Sequence, residues 1–255
     1  MTARLEILPL APLPEVGEGD RIGELVVAAA AAAEVELAGG AIVVISQKIV
    51  SKAEGRVRAL AEVEPGERAI ELGTELDRDP RLVELVLAES KRIVRATPAV
   101  LIVETHAGWI CANAGIDASN LPLEDSVALL PIDADASARR IRAEIAAAGG
   151  ENPAVLVADS FGRPWRLGQT EVAIGCAGIA TLDDWRGRTD AHGRRLEATS
   201  IAVADQLAGA ADLSREKDSG RPAVLIRGAA HLWSAEDGPG AAATLQRAAG
   251  EDLFR

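Results

Sequence analysis

Residues 41–55 read AIVVISQKIVSKAEG, an apolar run followed directly by a polar segment. The continuous apolar run at 41–45 is typical of a buried strand. The polar segment that follows it stands where a buried strand ends, a place where ligands are commonly met. Lys48 and Lys52 are four residues apart, so a helical segment would turn both toward the same anion. A solvated helix face is the alternative, because lysine side chains are mostly exposed.

Outward from this stretch, short apolar runs and helical patterns follow one another irregularly along the chain. Strands are predicted at 5–10, 41–45, 99–104, 108–113, 126–131, 154–158, 172–179 and 223–227. Helices are predicted at 20–34, 66–76, 80–91, 136–147 and 197–213. Asp20 is the candidate cap of the first helix, and Asp135 or Ser137 that of the fourth. Mixed helices and short strands without a steady β-α-β rhythm predict an α+β fold.

Length and composition limit the class of protein. The 255 residues, nearly half of them apolar, can bury a sizeable core, and we expect one compact unit over 1–255 that could consist of two interleaved lobes. Cys111 and Cys176 lack metal-ligand spacing and are expected to be reduced and buried. The alanine-rich run that ends at Ala33 is too short for a membrane span, and no signal sequence is evident, so a soluble cytoplasmic protein is expected.

The net charge of −12 disfavours nucleic-acid binding, which depends on a surplus of lysine and arginine. Small anionic ligands remain compatible with it, provided that local basic clusters or bound cations overcome the protein's own field. Acidic residues in glycine-rich loops therefore indicate candidate metal sites.

Two further clusters carry such residues. In the first, at 111–120, Asp117 is the lone carboxylate among small residues and carboxamides. Asp117 and Asn120 could ligate magnesium or manganese, or they could be turn residues that make local backbone hydrogen bonds.

The second of these clusters, at 158–170, begins where an apolar strand ends. Asp159 and Ser160 are adjacent and resemble the carboxylate and hydroxyl sets that hold metals beside phosphates. Arg163 and Arg166 could clamp a phosphate or carboxylate, with a salt bridge at a helix end as the alternative. The sequence has no G-x-x-x-x-G-K-[ST] loop, so any nucleotide is held by another device. Residue chemistry alone thus indicates a metal-dependent enzyme that handles phosphate.

Together and in this order, the clusters resemble the coenzyme F420-0:γ-glutamyl ligase family. The resemblance covers nearly the whole chain. Its most specific pieces are VSKAEG at 50–55, NAGIDASN at 113–120, DSFGR at 159–163 with RLGQ at 166–169, and PAVLIRG at 222–228. Some relatives carry a fused C-terminal flavin reductase domain, whereas this sequence ends at Arg255, so a standalone ligase is expected.

The resemblance implies a homodimeric α+β enzyme that uses GTP to add L-glutamate to coenzyme F420-0 and then to extend a γ-linked polyglutamate tail. It also implies two divalent cations, Mn²⁺ or Mg²⁺, and K⁺ as an optional monovalent cation. It places metal ligation on Asp117, Asp159, Ser160 and Glu216. It places nucleotide contacts on Ala11, Pro12, Leu13, Pro14, Gln47, Lys48, Lys52, Asn120, Arg215, Glu216 and Lys217.

The implied reaction proceeds through an acyl phosphate, which the amine of glutamate then converts to an amide. Lys48 and Lys52 would stabilise charge on the transferred phosphoryl group, and Arg163 or Arg166 would orient a substrate carboxylate or phosphodiester. Two alternatives stay open. Asp117, Asp159 and a hydroxyl could form a two-metal phosphohydrolase site, or the chain could be a regulatory module that binds nucleotide without consuming it.

Overall fold

Twelve strands and seven helices make up the computed structural model, which describes residues 4–252. Strands β1 to β12 span Glu6–Pro9, Ile42–Ser46, Val57–Ala59, Ser90–Thr97, Val100–Thr105, Ile110–Ala112, Ser126–Ala128, Ala154–Arg163, Arg166–Ala177, Asp183–Asp184, Ser200–Ile201 and Ala223–Arg227. Helices α1 to α7 span Ile22–Ala32, Gln47–Ala53, Glu67–Leu76, Pro80–Ala88, Ala134–Ala147, Val203–Asp212 and Ala241–Leu245. The mixture confirms the predicted α+β class. The first three and last three residues of the predicted unit lie outside the described residues.

The central sheet has five strands in the order β1-β12-β2-β8-β9. Strands β2 and β8 run parallel, and each other neighbouring pair is antiparallel. Successive side chains of a strand point to opposite faces, and here both faces are covered. Val43 and Ile45 pack into the core that contains α1 and α5, whereas Ile42 and Val44 pack into the core that contains α6. This double burial explains why β2 is a continuous apolar run.

Between α2 and α5 the chain leaves the central sheet and builds a smaller layer. Strands β4, β5 and β6 form an antiparallel sheet in that order, and α3 and α4 pack on it. The buried residues between them include Leu72, Val83, Leu101 and Val103. The turn after β6 carries the segment from 113 to 122 to the edge of the central sheet where β2 ends.

Several element boundaries differ from the prediction. The helix expected over 197–213 begins only at Val203, because Ser200 and Ile201 form β11 and pair with β10. The helix expected over 80–91 ends at Ala88, because β4 begins at Ser90 and pairs with β5. Strands β8 and β9 are longer than predicted and form a hairpin that extends beyond the central sheet. Near the turn of this hairpin, Trp165 and Leu167 are 81% and 97% exposed.

The predicted helix caps were wrong. Asp20 does not cap α1: its side chain accepts from the Gly17 N–H at 2.8 Å, and the N-cap residue Arg21 makes no side-chain cap hydrogen bond. Helix α5 is capped by Asp133, whose side chain accepts a hydrogen bond from a backbone N–H of the first turn. Asp135 is buried inside that turn and accepts from the backbone N–H of Cys176 at 2.8 Å. Ser137 lies in the helix and donates to a glutamate side chain.

The two cysteines are free and buried, as expected. Burial raises the pKa of the Cys111 and Cys176 thiols to about 12, so both stay protonated and unreactive near neutral pH. Between residues 4 and 252, none of the helices combines the length and the apolar character that crossing a bilayer requires.

Candidate active site

A cavity of about 780 Å³ opens where β2 ends and its parallel pairing with β8 stops. Because the two strands are parallel, with Ser46 beside Ala158, the residues that follow them emerge at the same edge of the sheet. Helix α2 follows β2, and Asp159 follows Ala158 within β8. The predicted site residues that line the cavity are Leu13, Pro14, Gln47, Lys48, Lys52, Asp117, Asn120, Asp159, Ser160, Arg215, Glu216 and Lys217.

Both lysines of α2 face this cavity and are already paired with carboxylates. Lys48 Nζ lies 2.5 Å from Asp117 Oδ2 and also donates to the carbonyl and hydroxyl oxygens of Ser119. Lys52 Nζ donates to Glu15 Oε1 at 2.6 Å. Their side chains are only 13% and 9% exposed, so the solvated-face alternative is wrong. Helix α2 thus presents two largely buried cations, one turn apart, to the cavity.

Asp117 makes the turn interaction that was one of the two alternatives from the sequence, and metal ligation, the other alternative, stays a prediction. Its Oδ1 accepts a local hydrogen bond from the backbone N–H of Ser119 at 2.8 Å, which is the turn interaction. Its Oδ2 meets Lys48 in the cavity. Burial would raise the pKa of Asp117, but the hydrogen bonds from Lys48 and Ser119 outweigh it and hold the pKa below its ordinary value. Asp117 is therefore a stable carboxylate at neutral pH.

Asp159 is in the opposite electrostatic state. Burial raises its pKa to about 7, and the negative charges of Glu171 and Asp117 act in the same direction. The groups that oppose this rise are uncharged, namely the backbone N–H of Ser160 and the side chain of Gln47. No positive charge is among the main influences on the pKa of Asp159, and a bound cation would favour its ionised form.

Glu171 is a cavity residue that the sequence analysis did not select. It lies on β9 opposite Ser160, accepts a hydrogen bond from the Ser160 hydroxyl at 3.2 Å and forms an ion pair with Arg215 at 2.9 Å. Burial raises the pKa of Glu171, and the charge of Arg215 opposes the rise. A lone glutamate at the start of an apolar strand was the signal that could have identified it.

The loop from 214 to 222 closes one wall of the cavity. Lys217 Nζ donates to Ser160 Oγ at 3.0 Å, and the side-chain amide of Asn120 donates to the Lys217 carbonyl at 3.1 Å. On the same wall, the Leu13 N–H donates to the carbonyl of Gly220 at 3.0 Å, which ties in the segment predicted from Ala11 to Pro14. Three segments distant in sequence, near residues 13, 120 and 217, are therefore joined around one space.

The structure does not bring every predicted residue to the cavity. Arg163 and Arg166 lie near the exposed end of the β8–β9 hairpin, where Arg163 Nη2 donates to the Leu167 carbonyl at 2.6 Å. Neither arginine lines the cavity of its own chain. Ala11 and Pro12 also lie outside its lining, directly before Leu13.

The oxygen-bearing side chains of the cavity suit a hard divalent cation in part. Within residues 4–252, no group of three or more His, Cys, Asp or Glu side chains is arranged to hold a metal ion. Asp117 and Asp159 nevertheless interact electrostatically, and Ser160 and Glu216 line the same space. A hard cation commonly uses one or two carboxylates and completes its shell with substrate phosphates and water. The residues fit such a cation, and ligation by this set stays a prediction.

The protein is an enzyme of the ligase class, since the curated proteins that match it are named as ligases. The chain belongs to the F420-0:gamma-glutamyl ligase family, whose sequence model matches residues 11–228. The Coenzyme F420:L-glutamate ligase of Methanothermobacter thermautotrophicus is 40% identical over 98% of this chain and 99% of its own. The protein of the same name from Methanopyrus kandleri is 40% identical over 100% and 98% of the two chains. That of Haloarcula marismortui is 42% identical over 88% and 87%.

Proposed function

We propose that this protein uses GTP to join L-glutamate to coenzyme F420-0, and that it then adds further glutamates in γ linkage. The names of its relatives support the two substrates. The observation that carries the proposal is the presence, in one cavity, of two largely buried lysines on α2 and of the carboxylates of Asp117 and Asp159. A site that transfers a phosphoryl group needs both kinds of charge.

The nucleotide phosphates would lie over α2. Lys48 and Lys52 would exchange their carboxylate partners for phosphate oxygens, and Gln47 lies one residue before this pair. The segment ending at Pro14, Asn120 and the 215–217 segment would enclose the rest of the nucleotide, because hydrogen bonds already join these walls.

Two divalent cations, Mn²⁺ or Mg²⁺, would be held by Asp117, Asp159, Ser160 and Glu216. They would neutralise the crowded phosphate oxygens and lower the cost of bringing a carboxylate next to them. A monovalent cation, K⁺, is proposed as an addition, and no residue is assigned to it.

In the first half of the reaction, a carboxylate oxygen of the precursor attacks the γ-phosphorus of GTP. The bond to the bridging oxygen breaks, GDP leaves, and an acyl phosphate forms. In the second half, the α-amine of glutamate attacks the acyl carbon, inorganic phosphate leaves, and the amine loses a proton as the amide forms. Lys52 would stabilise the charge that develops on the transferred group, because its side chain is only 9% exposed and therefore largely desolvated.

The proposed homodimer gives the hairpin arginines a role. Arg163 and Arg166 lie outside the cavity of their own chain, so they would orient a substrate carboxylate or phosphodiester only in the site of a second copy. Arginine suits this task because its planar guanidinium binds such groups through two parallel hydrogen bonds.

The proposal is tested by incubating the purified protein with coenzyme F420-0, L-glutamate, GTP and Mn²⁺. Mass spectrometry should detect stepwise addition of glutamyl units, with one phosphate released for each unit. Phosphate release without dependence on glutamate and without mass gain would identify a phosphohydrolase instead. Binding of GTP with neither phosphate release nor mass gain would identify a regulatory module. Replacing GTP by ATP should slow the reaction, and equal rates would refute the guanine preference.

A further inference from the structure

The ion pair between Glu171 and Arg215 is unusual for a cavity wall. The two side chains are 6% and 7% exposed, and both line the cavity beside Ser160. Arg215 Nη2 and Glu171 Oε2 are 2.9 Å apart, yet neither of these two buried atoms makes a hydrogen bond. Buried polar atoms in native proteins nearly always have a hydrogen-bond partner, so this pair needs a physical explanation.

One further polar atom of each side chain is held by a hydrogen bond. Glu171 Oε1 accepts from the Ser160 hydroxyl, and Arg215 Nη1 donates to the Pro222 carbonyl at 3.1 Å. These contacts hold the carboxylate on β9 and the guanidinium on the loop after α6. The two unsatisfied atoms keep the capacity to bind a ligand that carries both a positive and a negative group.

An α-amino acid is such a ligand, because its ammonium and carboxylate are attached to the same carbon atom. We infer that Glu171 and Arg215 form the binding site for the incoming L-glutamate, with Glu171 taking the α-ammonium and Arg215 the α-carboxylate. The inference rests on the proposed function and assigns the side chain of Arg215 to the amino acid instead of the nucleotide. The location is suitable, since Ser160 links Glu171 to Lys217 and stands next to Asp159.

Insertion of the amino acid would separate the pair and give each charge a hydrogen-bonded partner. An ion pair without hydrogen bonds gains little against the cost of removing both charges from water. Two hydrogen-bonded pairs with the substrate would compensate that cost better. The site would also require both charged groups of the substrate, because binding only one would leave a buried charge unpaired.

The test measures binding to the protein loaded with coenzyme F420-0, Mn²⁺ and a non-hydrolysable GTP analogue. Calorimetry compares L-glutamate with glutarate, which lacks the amine, and with 4-aminobutyrate, which lacks the α-carboxylate. In the unmodified protein, both analogues should bind at least about tenfold more weakly than L-glutamate. Equal affinity for L-glutamate and glutarate would overturn the inference without any variant.

Two variants then assign the groups. Glu171→Gln should weaken L-glutamate binding by about tenfold or more and leave glutarate unchanged. Arg215→Lys should weaken the binding of L-glutamate and leave the affinity for 4-aminobutyrate unchanged, because lysine keeps the charge but lacks the paired N–H groups of arginine. Glu71→Gln is the matched control: it removes one partner of the exposed pair with Arg68 on α3 and should change none of the three affinities.

A purely structural role of the pair predicts a different result. If the pair only stabilises the conformation of the 214–222 loop, Glu171→Gln should weaken the binding of the GTP analogue. The preference for L-glutamate over glutarate should then be the same as in the unmodified protein. That outcome would overturn the inference. Thermal unfolding checks that the variants are folded, and the comparison of ligands in the unmodified protein decides the question if they are not. Glutamyl addition by the unmodified protein, together with an unaltered KM for glutamate in Glu171→Gln, would refute the inference and leave the proposed function standing.

Discussion

Replacing Asp159 by asparagine should stabilise the metal-free protein above neutral pH, although it removes a residue of the proposed site. The pKa of Asp159 rises from its ordinary value of 3.8 to about 7, chiefly because of burial. The folded protein therefore holds this proton up to about pH 7, whereas the unfolded chain loses it near pH 4. Unfolding releases a proton between these two pH values. The contribution of protonated Asp159 to the free energy of unfolding is therefore fully present below about pH 4 and is lost as the pH rises to about 7.

The pKa rise sets the size of the effect. A rise of about three pH units corresponds to at most about 4 kcal/mol, at about 1.4 kcal/mol for each unit. The side chain keeps some contact with solvent in the cavity, so we expect about half of this value. Asparagine has nearly the same shape and does not ionise. Asp159→Asn should therefore gain about 2 kcal/mol relative to the parent protein between pH 4.5 and pH 8.

The assay is urea unfolding in EDTA at several pH values. At each pH, the free energy of unfolding of the parent is subtracted from that of the variant. Packing changes contribute an amount to this difference that does not depend on pH, whereas ionisation of Asp159 contributes an amount that changes with pH. Asp184→Asn is a control with the opposite expected effect. Hydrogen bonds from Arg186 lower the pKa of Asp184 to about 2, so the ionised carboxylate stabilises the folded protein. Removing this carboxylate should therefore destabilise the protein above about pH 4. A constant difference for Asp159→Asn across the whole range would refute the reasoning. Added Mn²⁺ should stabilise the parent more than the variant.

Three further substitutions test the site and the packing around it. Lys52→Ala should lower kcat by about a hundredfold and change the GTP dissociation constant by only a few-fold, as steady-state kinetics and equilibrium binding would measure. Asp117→Asn should abolish glutamyl addition and weaken Mn²⁺ binding measured by calorimetry, while circular dichroism stays unchanged. Gly175→Ala should destabilise the protein by about 2–4 kcal/mol in urea unfolding, because the added Cβ would lie 2.2 Å from the Ala134 carbonyl oxygen.

Matched controls keep these results interpretable. Lys91→Ala removes an exposed lysine on β4 outside the cavity and should leave kcat and KM unchanged. A similar loss of kcat in Lys52→Ala and Lys91→Ala would refute the proposed role of Lys52. Gly162→Ala adds a Cβ that meets no atom within 4 Å, so its stability should match the parent. Equal losses at Gly162 and Gly175 would contradict the packing argument. Full activity of Asp117→Asn would exclude that carboxylate from the site.

Short-range patterns in the sequence were enough for much of the fold. The apolar runs at 41–45, 154–158 and 223–227 became buried neighbours in the central sheet, because a continuous apolar run has no polar face to turn toward water. The sequence missed β4, whose residues Ser90–Thr97 are mostly charged or exposed. That strand exists because β5 supplies its hydrogen bonds, and such pairing is not visible in local composition.

By itself, the sequence determined which residues could carry chemistry: lysines four apart after a strand, and lone aspartates at strand ends. Which of these residues lie in contact with one another depends on the folded structure. Lys48 reaches Asp117 across 69 positions, and Lys217 reaches Ser160 across 57. In the folded protein Arg163 lies outside the cavity, whereas Glu171 lines it. The physical reason is that strand order and register fix these distances, and both depend on contacts between segments far apart in the chain.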